Sequence, residues 1–153
     1  MRKAIQKYIQ SKNAKLILSG AYIGTDIKLC GDSLVKEFTE KELHYLFRTN
    51  YASKSGLVSH PNGVRKDFDG NYRFETGFNP NIYKVEAPDA IEPVGKNASV
   101  FLRYIKNNKS AGVLYNGDYQ SVILGFPFET IKTEEGRIDL MSKVLKFFNK
   151  EKK

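Results

Sequence analysis

The chain has little of the chemistry on which many enzymes and metal proteins depend. Its 153 residues include one cysteine, two histidines and no tryptophan. A single cysteine cannot form an internal disulfide, and one thiol with two imidazoles makes a poor set of ligands for structural zinc. Apolar runs such as residues 121–126 are far too short to cross a bilayer, which argues against membrane insertion. The sequence is nevertheless 41% hydrophobic with 10 Phe and 9 Tyr, enough to form a core and exclude disorder over most of its length.

The net charge of +8 reflects 25 Lys and Arg against 17 Asp and Glu. Many of the basic residues lie in two terminal stretches with helical apolar spacing, where lysines on the solvent face keep a helix soluble. They are Arg2, Lys3, Lys7, Lys12 and Lys15 at one end, and Lys143, Lys146, Lys150, Lys152 and Lys153 at the other. Between them there is no aromatic RNA-binding motif, zinc-finger spacing or arginine-rich run. Nucleic acid is therefore a disfavoured partner, and binding of anionic polymers through the basic terminal helices is kept as an alternative.

The first half of the chain mixes helix, strand and loop signals. Apolar spacing predicts a helix over about 2–12, and a short strand over 14–19 ends at Gly20. Thr39 and Glu42 form a capping-box pattern that predicts a helix through Leu43, Leu46 and Phe47 to about residue 50. Residues 51–81 are rich in Gly, Asn and Asp, which indicates loops and short hairpins with a strand over 72–75.

The last third has the clearest pattern. It predicts strands over 99–104, 111–115 and 119–124, the last two joined by a tight turn at Asn116-Gly117-Asp118. A helix follows, with Ile138, Met141, Val144 or Leu145, and Phe148 recurring at helical spacing. No linker or repeat divides the sequence, so we expect one domain over 1–153. Because an α/β sheet normally begins on a strand, we expect a fragment of a larger protein that lacks its first strand or strands. The resulting bare sheet edge favours a homodimer.

A short turn motif follows the first strand. The segment Gly20-Ala21-Tyr22-Ile23-Gly24 has the spacing of a nucleophile elbow, in which glycines flank a sharply turned central residue. An enzyme would have Ser or Cys at the centre, whereas Tyr22 is a phenol with an ordinary pKa near 10 and a poor nucleophile for acyl transfer. Asp26, two residues after Gly24, either binds a ligand or metal at the carboxyl edge of the sheet or forms a helix N-cap or Asx turn.

Three other side chains, Cys30, His60 and Glu129, are weak candidates for a site. Cys30 can pair with His60, which lies in a loop before Pro61, although a lone cysteine is more often a small buried apolar residue. His44 falls within the predicted capped helix, where catalysis is less expected. Glu129 follows a buried strand and two aromatic residues that flank a proline. Glu129 either orients a base or binds a ligand, or it caps a helix or pairs with a lysine.

Taken together, these strings resemble the C-terminal domain of large secreted bacterial proteins labelled xanthan lyase. The segments that carry the resemblance are residues 18–26 (LSGAYIGTD), 86–93 (EAPDAIEP), 102–104 (LRY), 110–113 (SAGV) and 122–129 (VILGFPFE). The resemblance covers about residues 8–148. That domain in turn resembles class I glutamine amidotransferases, which implies a flavodoxin-like three-layer α/β domain with a mostly parallel sheet, flanking helices and here a C-terminal β-hairpin. Tyr22 stands where their nucleophilic cysteine would be, Phe126 where their histidine would be, and Glu129 comes one residue late.

The resemblance implies a non-catalytic accessory domain of an exported bacterial protein, located outside the cell, in the periplasm or on the cell surface. Because no apolar run follows the first basic residues, we expect no signal peptide within this chain, and the resemblance implies no cofactor. The expected partners are neighbouring domains of the parent protein and carbohydrate, contacted by Tyr22, Asp26, Arg103 and Glu129. The enzymatic alternatives are a hydrolase using Cys30 and His60, and a polysaccharide lyase using Tyr22 as acid or base beside an arginine.

Overall fold

The computed structural model describes residues 2–25, 31, 33–61 and 68–150. Helix α1 spans Arg2–Ile9 and helix α2 spans Ser33–Glu37, which continues into one π-helical turn, Phe38–Glu42. A 3-10 turn at Phe128–Thr130 precedes the long helix α3, Glu134–Asn149, whose first turn is capped by the Thr133 hydroxyl accepting from Gly136 N.

Eight strands form two sheets among the described residues. They are β1 (Lys15–Ser19), β2 (Tyr45–Thr49), β3 (Leu57–Ser59), β4 (Asn71–Arg73), β5 (Ala90–Pro93), β6 (Ala98–Tyr104), β7 (Ser110–Asn116) and β8 (Gln120–Leu124). The larger sheet has the order β1-β8-β7-β6-β3-β4, and β2 pairs with β5 in the smaller one. Only the pairing of β1 with β8 is parallel.

The expected flavodoxin-like α/β fold with a mostly parallel sheet is wrong. The large sheet is mixed and curls into a half-barrel. The reason is visible in the connections: β7 and β8 are joined by the tight turn at 117–119, and such short links bring strands together antiparallel. Parallel neighbours need a crossover of a dozen or more residues, and the chain from β5 to β8 contains no helix to supply one.

The predicted helix over 39–50 is also wrong. The Thr39 hydroxyl donates to Lys36 O instead of capping a new helix, and Glu42 accepts from the side chain of Gln6. The backbone then turns at His44, where φ is +58°, and residues 45–49 pair with β5 as a strand. Tyr45 is buried against Ile91 of β5, so packing against the sheet overrides the local helix signal.

The two faces of the large sheet are covered by different layers. Leu114, Val122 and Leu124 face α3, which buries Leu140, Val144, Phe147 and Phe148, whereas the predicted stripe residues Ile138 and Leu145 are exposed. Val113 and Ile123 face the β2–β5 sheet, and Ile5 of α1 packs on this same side. The helices α1 and α3 therefore lie on opposite faces, and their lysines do not form one continuous surface.

Strand β1 is at the edge of the described sheet, which is the arrangement from which we expected a homodimer. The Tyr8 hydroxyl occupies part of that edge, since it donates to Lys15 O at 2.8 Å and accepts from Lys15 N at 3.3 Å. Dimerisation itself stays a prediction.

Candidate functional site

A cleft of about 420 Å³ opens at the carboxyl ends of β1 and β8. Because these neighbouring strands are parallel, with Ser19 opposite Leu124, the turns that follow them meet at one edge of the sheet. The segment 83–86 closes the other side. The lining residues are Ser19, Gly20, Ala21, Tyr22, Tyr83, Lys84, Val85, Glu86, Pro127 and Glu129.

The turn after β1 bends sharply at Tyr22, whose φ of +69° is uncommon for a residue with a large side chain. Its side chain is 42% exposed on the wall of the cleft. The flanking glycines are required by close packing: a Cβ on Gly24 would lie 2.4 Å from the Phe47 ring, and one on Gly20 would lie 2.9 Å from Ile23. The glycine spacing thus corresponds to a real bend with a tyrosine at its centre.

Asp89 holds this turn in place from within the protein. The carboxylate is fully buried and accepts hydrogen bonds from Gly24 N at 2.7 Å and from the Thr25 hydroxyl at 2.9 Å. The backbone of Asp89 also bonds the turn after β8, because its N–H donates to Gly125 O at 2.7 Å. A single buried residue therefore joins both turns that border the cleft.

Two buried tyrosines complete the support beneath the turn. Tyr104 donates its hydroxyl proton to Asp89 O at 2.8 Å, and Tyr45 donates to Ile23 O at 3.2 Å. Burial raises the pKa of both phenols, and the nearby Asp89 carboxylate raises it further. Both hydroxyls therefore remain protonated donors, and neither belongs to the cleft lining.

The opposite wall of the cleft is built around Tyr83 and Glu129. The Tyr83 hydroxyl donates to Glu129 Oε1 at 2.9 Å, although the tyrosine side chain remains 55% exposed. Burial, together with the Glu129 carboxylate, raises the pKa of Tyr83 to about 12. Beside them, Lys84 pairs with Glu86 at 3.1 Å on the surface.

Glu75 fixes the loop that carries this wall. Its carboxylate is nearly buried and bonds Lys132 Nζ at 2.8 Å, the backbone nitrogens of Thr76 and Gly77, and the Asn79 amide. The hydrogen bond from Lys132 is the main reason that the pKa of Glu75 falls to about 2. Val85 N donates to Glu75 O at 2.9 Å, so the ion pair anchors the loop close to the cleft.

The structure brings together two of the predicted site residues, Tyr22 and Glu129, which line the same cleft. Arg103 lies near the end of β6, where its guanidinium donates to Asn108 O at 2.6 Å, and it is not in the cleft lining. The His60 ring bonds Phe101 O at 3.0 Å through Nδ1. Asp26 and Cys30 lie outside the described residues, so the proposed Cys30–His60 pair has no described geometry.

Phe126 occupies a purely structural position: it is fully buried and stacks on Phe74 with 4.7 Å between ring centroids. Sequence reasoning did not single out Tyr83, Glu86 or Asp89. The last two lie in the string 86–93 that carried part of the resemblance, and a carboxylate directly before a buried strand was the signal available for Asp89.

In the described parts of the chain, no group of three or more His, Cys, Asp or Glu side chains could hold a metal ion. None of the helices described is both long and apolar enough to span a bilayer. No protein-family model matches this chain, and no curated protein matches it significantly.

Proposed function

We propose that this protein is a non-catalytic carbohydrate-binding domain and that it holds a saccharide in the cleft at the ends of β1 and β8. The observation that carries the proposal is that one cleft is lined both by two partly exposed tyrosine rings, Tyr22 and Tyr83, and by carboxylate groups.

The lining of the cleft suits the two-sided chemistry of a sugar ring. A pyranose presents C–H groups on its faces and hydroxyl groups around its rim. Tyrosine rings offer rigid apolar surfaces with a polar tip, which suits contact with such faces. The carboxylates of Glu129 and Glu86 accept hydrogen bonds from hydroxyl groups, and the Ser19 hydroxyl can donate or accept one. A few polar groups in a partly apolar concavity are typical of ligand sites.

The protonation state of Tyr83 and the chemistry of Tyr22 favour binding over catalysis. A phenol that removes a proton at neutral pH needs a lowered pKa, whereas the pKa of Tyr83 is raised to about 12. Tyr22 has a phenol in place of the thiol or hydroxyl that an elbow nucleophile requires. Lyase chemistry by Tyr22 beside an arginine gains no support, because no arginine is among the described residues that line the cleft.

We further propose that the domain serves a larger exported bacterial protein by holding carbohydrate near its neighbouring domains. This role follows from the resemblance of residues 18–26 and 122–129 to the xanthan lyase C-terminal domain. A binding domain needs no reaction of its own, which agrees with the chemistry available in the cleft.

The test is a binding assay with a panel of neutral and acidic plant and microbial polysaccharides, using affinity electrophoresis and then calorimetry with matching oligosaccharides. We expect Tyr22→Ala and Tyr83→Ala each to weaken binding about tenfold or more, equivalent to about 1.4 kcal/mol. Tyr51→Ala is the matched control, since Tyr51 is 75% exposed and lies outside the cleft lining. The proposal is overturned if no saccharide binds, or if all three variants bind as the original protein does.

A further inference from the structure

We propose that the cleft selects saccharides that carry no negative charge and rejects those bearing uronate, pyruvate or sulfate groups. This inference rests on the proposed carbohydrate-binding function and goes beyond it to the class of ligand. It runs against the overall charge of the chain, since a net charge of +8 would by itself favour acidic polymers.

The charges that face the cleft are opposite in sign to the charge of the whole chain. Two carboxylates, Glu86 and Glu129, line it, and Lys84 is the one cation among the described lining residues. Lys84 is already paired with Glu86 at 3.1 Å. The lining therefore carries a net charge of −1, and the unbalanced carboxylate is that of Glu129.

Glu129 is held where it would meet a ligand. The Tyr83 hydroxyl donates to Oε1 at 2.9 Å, which fixes the carboxylate beside one of the two proposed stacking rings. A neutral sugar can donate its hydroxyl protons to such a carboxylate. An acidic sugar would bring a second negative charge close to it, and like charges at short range repel in a partly desolvated cleft.

The basic residues do not compensate at this site. Lys3 and Lys7 lie on α1 and Lys143 and Lys146 on α3, two helices that cover opposite faces of the sheet. No terminal lysine that the structure describes is in the cleft lining. Lys84 does not change this balance, because its charge is already offset by Glu86 at 3.1 Å and an anion would meet both charges together. Local charge at the site then decides selectivity, because the field of distant surface charges is screened at physiological salt.

The experiment compares polymers that share a backbone and differ chiefly in the charge of their substituents. Suitable pairs are hydroxyethyl cellulose with carboxymethyl cellulose, and highly methyl-esterified homogalacturonan with the same polymer after de-esterification. Xanthan serves as an additional acidic polymer. We expect the neutral member of a bound pair to bind at least tenfold more tightly at 150 mM salt, where the field of the distant lysines is screened, with a smaller ratio at 500 mM because salt then also screens the repulsion in the cleft.

Two charge-matched variants locate the effect. Glu129→Gln removes the unbalanced charge and keeps a hydrogen-bond acceptor, so we expect the preference for the neutral polymer to shrink several-fold. Glu135→Gln, on the exposed first turn of α3, changes the net charge equally and leaves the preference unchanged. This pairing separates a local effect in the cleft from an effect of total charge.

The outcomes distinguish the two proposals. The inference is supported if the preference for the neutral polymer is reduced in Glu129→Gln and unchanged in Glu135→Gln. Equal or tighter binding of the acidic polymer, dependent on Tyr22 and Tyr83, overturns the charge selectivity and leaves carbohydrate binding intact. A complete lack of binding to every polymer overturns the proposed function and the inference with it.

Discussion

The backbone nitrogen of Gly24 donates a hydrogen bond of 2.7 Å to Oδ2 of Asp89, a residue 65 positions further along the chain. This contact fixes the turn that presents Tyr22, and the backbone of Asp89 bonds Gly125 in the second turn of the cleft. The geometry of the proposed binding site thus depends on a carboxylate that does not reach its surface.

We expect Asp89→Ala to destabilise the protein and weaken saccharide binding together. The variant removes both carboxylate oxygens, so the Gly24 N–H and the Thr25 hydroxyl lose their acceptor. An unsatisfied buried partner costs on the order of 2 kcal/mol in the free energy of unfolding. Urea unfolding measures the loss. Glu135→Ala on the exposed first turn of α3 is the control and should change stability by less than about 0.5 kcal/mol. Equal stability of the two variants would contradict the role given to Asp89.

Replacement of Tyr22 should separate stability from binding. Tyr22→Gly relieves the positive φ of +69° and should have a free energy of unfolding about 1 kcal/mol higher than that of Tyr22→Ala, while the loss of the ring abolishes most binding. Tyr22→Ala also removes the ring but keeps a Cβ in the same backbone conformation, so it should show the binding loss without the stability gain. Thermal unfolding of both variants checks this. If glycine is no more stable than alanine, the turn is not strained at this position.

Stability should depend on Glu75 below about pH 4.5. The folded pKa of Glu75 is about 2, below the value near 4.3 expected in the unfolded chain. The ionised form is therefore favoured in the folded state, so its contribution is fully present above the unfolded pKa and is lost as pH falls towards 2. Glu75→Gln should be less stable than the original protein at pH 7, and the difference should narrow between pH 4.5 and 2.

Urea unfolding across that pH range, with Glu135→Gln as a control, isolates the contribution of Glu75. Glu135 is exposed on α3, so Glu135→Gln should differ little from the original protein in its free energy of unfolding, and this difference should not narrow between pH 4.5 and 2 as it does for Glu75→Gln. A gap between the original protein and Glu75→Gln that stays constant down to pH 2 would show that Lys132 does not hold the ionised form.

Sequence reasoning located most strands of the last third because local signals and tertiary pairing agree there. The turn at Asn116-Gly117-Asp118 and the alternating apolar residues around it both favour a hairpin, and β7 and β8 form one. It failed at residues 45–49, where a capping-box pattern competed with burial of Tyr45 against the second sheet. It also failed for strand direction, because the resemblance implied parallel neighbours that the short connections do not allow.

The sequence by itself determined the apolar core, the glycine-flanked turn with a tyrosine at its centre, and the approximate positions of the C-terminal strands and helix. These properties depend on neighbours within a few residues along the chain. Only the tertiary structure decided that Tyr22 and Glu129 share a cleft, that Tyr83 binds Glu129, and that Asp89 supports the turn. Tyr83 and Glu129 are 46 positions apart in the sequence, and Gly24 and Asp89 are 65 positions apart. No local periodicity encodes which distant segments become neighbours.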